Sequence, residues 1–107
     1  MLDEMNYIIR KTKFISYEDF VNDETLTKAI TRSLEIIGEA TKNLSINFRE
    51  KHPDIEWRAL TGLRDKLIHN YWGVNFERVW DIIENLIPEI ERKLKRILED
   101  DRKLQNP

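Results

Sequence analysis

Apolar residues recur at helical spacing along most of the chain. Leu2, Met5, Ile8 and Ile9 share a face while Asp3, Glu4, Arg10 and Lys11 point elsewhere, which predicts a short amphipathic helix. Phe14, Ile15, Tyr17 and Phe20 follow with weak periodicity, interrupted by Ser16 and by Glu18-Asp19. That stretch predicts a connector whose aromatic side chains plug into a helical bundle. Asn22 or Asp23 can accept bonds from free amides and start the next helix. Leu26, Ile30, Leu34, Ile37, Ala40 or Thr41, and Leu44 then repeat every three to four residues, so the helix spans about Asp23 to Leu44. Gly38 inside it costs about 1 kcal/mol relative to Ala. Its presence predicts the close approach of another helix.

Ser45 to Asp54 reads as a turn with one helical loop, broken at His52-Pro53. A third pattern starts near Ile55 or Trp57, carries Leu60, Leu63, Leu67, Ile68 and Tyr71, and stops at Gly73. Asn75 can cap a last helix with the stripe Phe76, Val79, Trp80, Ile83, Leu86, Ile87, Ile90, Leu94, Ile97 and Leu98. Pro88 lies within that stripe and removes a backbone donor, which predicts a kink. The polar tail after Asp100 is expected to fray. The expected fold is all-α, a compact up-down bundle of about four main helices in one domain spanning residues 1–107.

Composition narrows this further. Three Gly and three Pro in 107 residues are too few turn-makers for a barrel or sandwich of many short strands. With 40% apolar and 36% charged residues, the chain fits a folded helical domain better than a disordered tail. The absence of Cys rules out a disulfide scaffold and thiolate metal ligands, and it suits a reducing, cytoplasmic setting. Met1-Leu2-Asp3-Glu4 is acidic at once, unlike a secretory signal, and no apolar run approaches a membrane span. Eighteen basic against twenty acidic residues leave a net charge of −2, which argues against a broad basic surface. Chemistry on a nucleic acid therefore has to come from a local site.

One stretch offers such a site: Arg64-Asp65-Lys66-Leu67-Ile68-His69-Asn70-Tyr71-Trp72. On an ideal helix Arg64 and Tyr71 differ by only about 20° in azimuth, and Asp65 and His69 are i, i+4 neighbours. Arg64 and His69 diverge by about 140°. Two side chains so splayed do not grip one small group from a single straight helix. They converge if a second copy of the helix faces the first across a symmetry axis. The chemistry this suits is phosphate chemistry without a metal or cofactor. Arg64 would hold phosphate oxygens and stabilise growing charge, and His69 would move a proton near neutral pH. Asp65 would orient the imidazole, Asn70 would donate to phosphate, and Tyr71 would position substrate or be modified. The same residues also fit an ordinary charged helix end, with Asp65 and His69 as a surface pair. His52 reads as a loop residue. Trp57, Trp72 and Trp80 read as core or interface anchors rather than base-stacking platforms. Two His with scattered carboxylates give no metal site, and there is no glycine-rich phosphate loop.

Arg64-x-x-x-x-His69-x-Tyr71 resembles the R-x-x-x-x-H-x-Y signature of the HepT-like toxins, a minimal branch of the HEPN superfamily. Leu34-Glu35-Ile36-Ile37-Gly38-Glu39-Ala40 is similar to that family's second-helix segment, and His52-Pro53-Asp54-Ile55-Glu56-Trp57 with Gly62-Leu63-Arg64-Asp65 to its approach to the active helix. Tyr71-Trp72-Gly73-Val74-Asn75, Val79-Trp80-Asp81-Ile82-Ile83 and Leu86-Ile87-Pro88 resemble the exit into the last helix. The resemblance covers about residues 1 to 98. It implies a homodimer, open to higher assembly, in which two copies of the motif face one cleft. It also implies a metal-independent endoribonuclease toxin that cuts RNA by attack of a 2′-hydroxyl. Arg64 and His69 take the catalytic places and Asp65 the supporting one. Tyr71 takes the place of the acceptor of AMP from a cognate minimal nucleotidyltransferase (MNT-type) antitoxin.

Two further readings stand beside it. The acidic balance and Asp65 inside the motif fit a non-catalytic module that binds a nucleotide or presents substrate to a nucleotidyltransferase. The tryptophans fit an interaction bundle that fills a partner surface.

Overall fold

The structure, a computed structural model, describes residues 1–63 and 75–105. Helix α1 is Leu2–Thr12, α2 Tyr17–Asn22, α3 Glu24–Lys42, α4 Ile46–Lys51 and α5 Trp57–Thr61. Helix α6 is Phe76–Asp81, and a π-helical turn at Ile82–Leu86 joins it to α7, Ile87–Gln105. Among the described residues there is no strand, so the all-α expectation holds. The short α2, α4 and α5 are additional to the long helices, so the segments outnumber the four main helices expected.

Where two elements meet, the capping chemistry explains the corner. Ser16 Oγ accepts from the Asp19 amide and Asp19 Oδ2 accepts from the Ser16 amide, both at 3.1 Å, a reciprocal box that opens α2. The stretch expected as a connector is thus a helix. Phe20 plugs the core from it, against Phe76 at 6.2 Å and Trp80 at 5.4 Å between ring centroids. Phe14 does not plug in: it is 90% exposed. Asp23, rather than Asn22, caps α3 by accepting from the Leu26 amide at 3.0 Å, while its own amide donates to Phe20 and closes α2. No residue separates the two helices beyond this shared cap.

The core is built from Met5 and Ile8 of α1, Phe20 of α2 and Ile30, Leu34 and Ile37 of α3. Ile55, Leu60 and Leu63 join it beside α5, and Val79, Ile83, Ile87, Ile90 and Leu94 come from the last helical run. Helix α1 lies against both α3 and α7, and α3 also carries α5 and α2. Thr12 and Thr41 are buried without penalty, because each hydroxyl donates to the carbonyl four residues earlier, Ile8 and Ile37, at 2.7 Å. Gly38 lies on the buried face of α3.

The last run departs from expectation in three ways. The disturbance predicted at Pro88 takes the form of the π turn before it, where the Ile87 amide donates to the Ile82 carbonyl five residues back. Widening the turn is a recognised way to accommodate a backbone position that lacks a donor. Leu98, placed on the apolar stripe, is 48% exposed because α7 has by then run past the rest of the core. Helix α7 continues past Asp100 to Gln105, with Arg102 and Lys103 in its last turn complementing the helix dipole. No helix among the described residues is long and apolar enough to cross a membrane.

Candidate active site and its supports

Arg64, Asp65, His69, Asn70 and Tyr71 lie outside the described residues, as do Leu67, Ile68, Trp72 and Gly73. What the structure does describe is the scaffolding on either side of them in the chain. On the approach, α4 starts at Ser45, whose hydroxyl accepts from the Phe48 amide at 3.0 Å, and ends at His52. His52, read from the sequence as a loop residue, is the C-terminal cap of α4, and its ring stacks obliquely on Phe48 at 4.9 Å.

Trp57 then clasps this corner. Its indole Nε1 donates to the carbonyls of Arg49 at 3.0 Å and His52 at 2.9 Å, and its ring meets Phe48 at 6.0 Å. Both carbonyls sit at the end of α4 and already accept a backbone amide, from His52 and Ile55, so the indole gives each a second donor. From the opposite side, Lys93 Nζ on α7 donates to the Asp54 carbonyl at 2.6 Å. Ile55, Leu60 and Leu63 are buried and fix α5 against α3. The Gly62 amide closes α5 by donating to the carbonyls of Arg58 and Leu60. The third helical pattern is therefore not one straight helix from Trp57: α5 ends at Thr61.

On the far side, Asn75 caps α6 as expected, its side-chain oxygen accepting from the Arg78 amide at 3.3 Å. Phe76 and Trp80 hold this helix to Phe20, and Trp80 also meets Tyr17 edge-on at 6.2 Å. Trp57 and Trp80 are accordingly packed on the core, in keeping with their expected anchoring role. Residues 64–74 are thus delimited by two secured ends, Leu63 in the core and Asn75 at a cap. Among the described residues, no group of three His, Asp or Glu side chains is placed to hold a metal ion.

Two cations near the approach escaped the sequence reading. Arg49 and Arg58 line a groove between α4 and α5 together with Ile46, Pro53 and Trp57. The only sequence signal for Arg58 is its position six residues before Arg64.

Comparison with known proteins gives a consistent picture. The family model described as "Ribonuclease HepT-like" matches residues 1–97. "Putative RNase TTE0752" of Caldanaerobacter subterraneus subsp. tengcongensis is 51% identical over 95% of this chain and 91% of its own length. "Putative RNase MJ0127" of Methanocaldococcus jannaschii is 42% identical over 94% of this chain and 83% of its own. "Probable ribonuclease HepT" of Thermococcus cleftensis is 42% identical over 80% of this chain and 78% of its own. No solved structure matches the chain.

Proposed function

We propose a mechanism for this chain, which belongs to the HepT-like ribonuclease family and is thereby a ribonuclease: it cuts RNA internally at a composite site shared by two copies. The observation that carries the reading is the Arg64-x-x-x-x-His69-x-Tyr71 string within the 1–97 match. His69 of one copy takes the proton from a ribose 2′-hydroxyl, and the freed oxygen attacks the adjacent phosphorus. The bond from phosphorus to the 5′-oxygen breaks, that oxygen takes up a proton, and the products are a 2′,3′-cyclic phosphate and a 5′-hydroxyl. Arg64 of the facing copy pairs with the non-bridging oxygens, whose negative charge is greatest in the transition state. Asp65 holds the imidazole tautomer and Asn70 donates to the phosphate. No step requires a metal ion or a cofactor.

Tyr71 lies about 20° in helical azimuth from Arg64 on an ideal helix, so AMP attached there brings bulk and negative charge to the phosphate-binding side. A cognate nucleotidyltransferase acting on Tyr71 therefore switches the enzyme off, and the pair behaves as toxin and antitoxin in the cytoplasm. The test is cleavage of RNA by the purified protein in excess chelator. The wild type leaves 2′,3′-cyclic phosphate ends and His69→Ala leaves none. Equal cleavage by His69→Ala would remove the mechanism. Tight nucleotide binding without any cleavage would favour the presenting module instead.

A further inference from the structure

The groove between α4 and α5 combines features that no structural role requires together. Its floor is apolar, from Ile46, Pro53 and Trp57, and Ile46 stays 65% exposed although it is a large aliphatic side chain. Its rim carries two guanidinium groups, Arg49 and Arg58, against one carboxylate, Glu50. Arg58 is exposed, and neither arginine has an ion pair among the described residues. The Nε of Arg49 is buried and has no hydrogen-bond acceptor among the described residues. On a chain of net charge −2, a cationic rim over an apolar floor is a local exception.

We infer that this groove binds the single-stranded RNA that flanks the cut, with Arg49 and Arg58 on backbone phosphates and a base lying over Ile46, Pro53 and Trp57. The inference rests on the ribonuclease reading above and adds a binding track to it. Phosphate and base come as one ligand, which is why cationic and apolar surface occur together. In sequence, Arg58 precedes Arg64 by six residues. Wrapping of the strand over α4 and α5 supplies affinity that the acidic surface as a whole does not.

The experiment measures binding of a twelve-nucleotide, fully 2′-O-methylated oligouridylate, which cannot be cut by 2′-hydroxyl attack, as a function of salt. Arg58→Ala and Arg49→Gln are compared with Lys28→Ala, which removes an exposed cation of α3 outside the groove. Each groove variant is expected to reduce the slope of log affinity against log salt by about 0.7, the value for one phosphate contact on a single strand. Lys28→Ala is expected to leave the slope unchanged. Arg58 is a solvent-exposed side chain, so its variant keeps the test valid even if Arg49→Gln misfolds. An unchanged slope in Arg58→Ala, or an equal loss in Lys28→Ala, overturns the track. So does a change of oligomeric state in Arg58→Ala, which would assign the groove to a second copy of the chain. If the wild type cuts RNA while the groove variants bind normally, only the track falls. If the wild type neither binds nor cuts RNA, the ribonuclease mechanism falls with it.

Discussion

Trp57 shows how much a single side chain can organise at one corner of the fold. Its ring packs on the core and on Phe48, and its one donor is shared between the carbonyls of Arg49 and His52. Replacing it by Phe keeps most of the apolar contact and removes only the donor. Trp57→Phe should lower stability by about 1 kcal/mol, because the indole hydrogen bond is lost while each carbonyl keeps its backbone donor. Urea unfolding followed by circular dichroism reads this, and a midpoint unchanged from wild type would show that the clasp is not a stabilising bond. At this same scale the sequence reading was uneven. Arg64, His69 and Tyr71 stand out as a spacing, yet spacing alone reads more readily as a charged helix end, and the catalytic roles belong to the mechanism proposed above. Arg49 and Arg58 did not stand out, because a surface arginine carries no pattern until a second helix lies beside it.

Helices are legible from sequence where a repeat is long enough to show its period. Helix α3 and the last run were readable from their apolar stripes, and Asp23 and Asn75 mark their starts as caps. Helix α2 was missed because six residues hold under two turns, too few to display a 3.6-residue repeat. The signal that could have found it is Ser16-x-x-Asp19, a capping box with Asp in place of the more usual Glu. Ser16→Ala should therefore cost about 1 kcal/mol. The cost should appear as a lowered melting temperature with little change in helical signal, since α2 is held at its other end by Phe20. A loss of less than a quarter of that would mean that Phe20 alone keeps the helix in place. The continuation of α7 to Gln105 was missed for a different reason. Its polar tail was expected to fray, whereas Glu, Lys, Arg and Leu are all strong helix formers.

For the whole molecule the decisive question is whether the proposed site is shared between two copies of the chain. If Arg64 of one copy works with His69 of the other, Arg64→Ala and His69→Ala proteins are each inactive alone but complement each other. A heterodimer of the two has one intact site and one doubly mutated site. With equal amounts and free exchange, half of the dimers are mixed, so about a quarter of wild-type activity should return. Activity no higher than that of either variant alone would place both groups on one chain.

The π turn has a further effect at this scale. An extra residue within a helix rotates everything after it by about 100°. Beyond it, Glu91 is a carboxylate only 7% exposed, paired with Lys95 at 2.5 Å. The same quarter-turn aims Lys93 at Asp54, whose carbonyl it reaches three residues before Trp57. A one-codon deletion between Ile82 and Leu86 would swing that lysine away and leave the α4–α5 corner without its brace. The length of one helix, counted to the residue, thus sets the footing of the corner that precedes Leu63 in the chain.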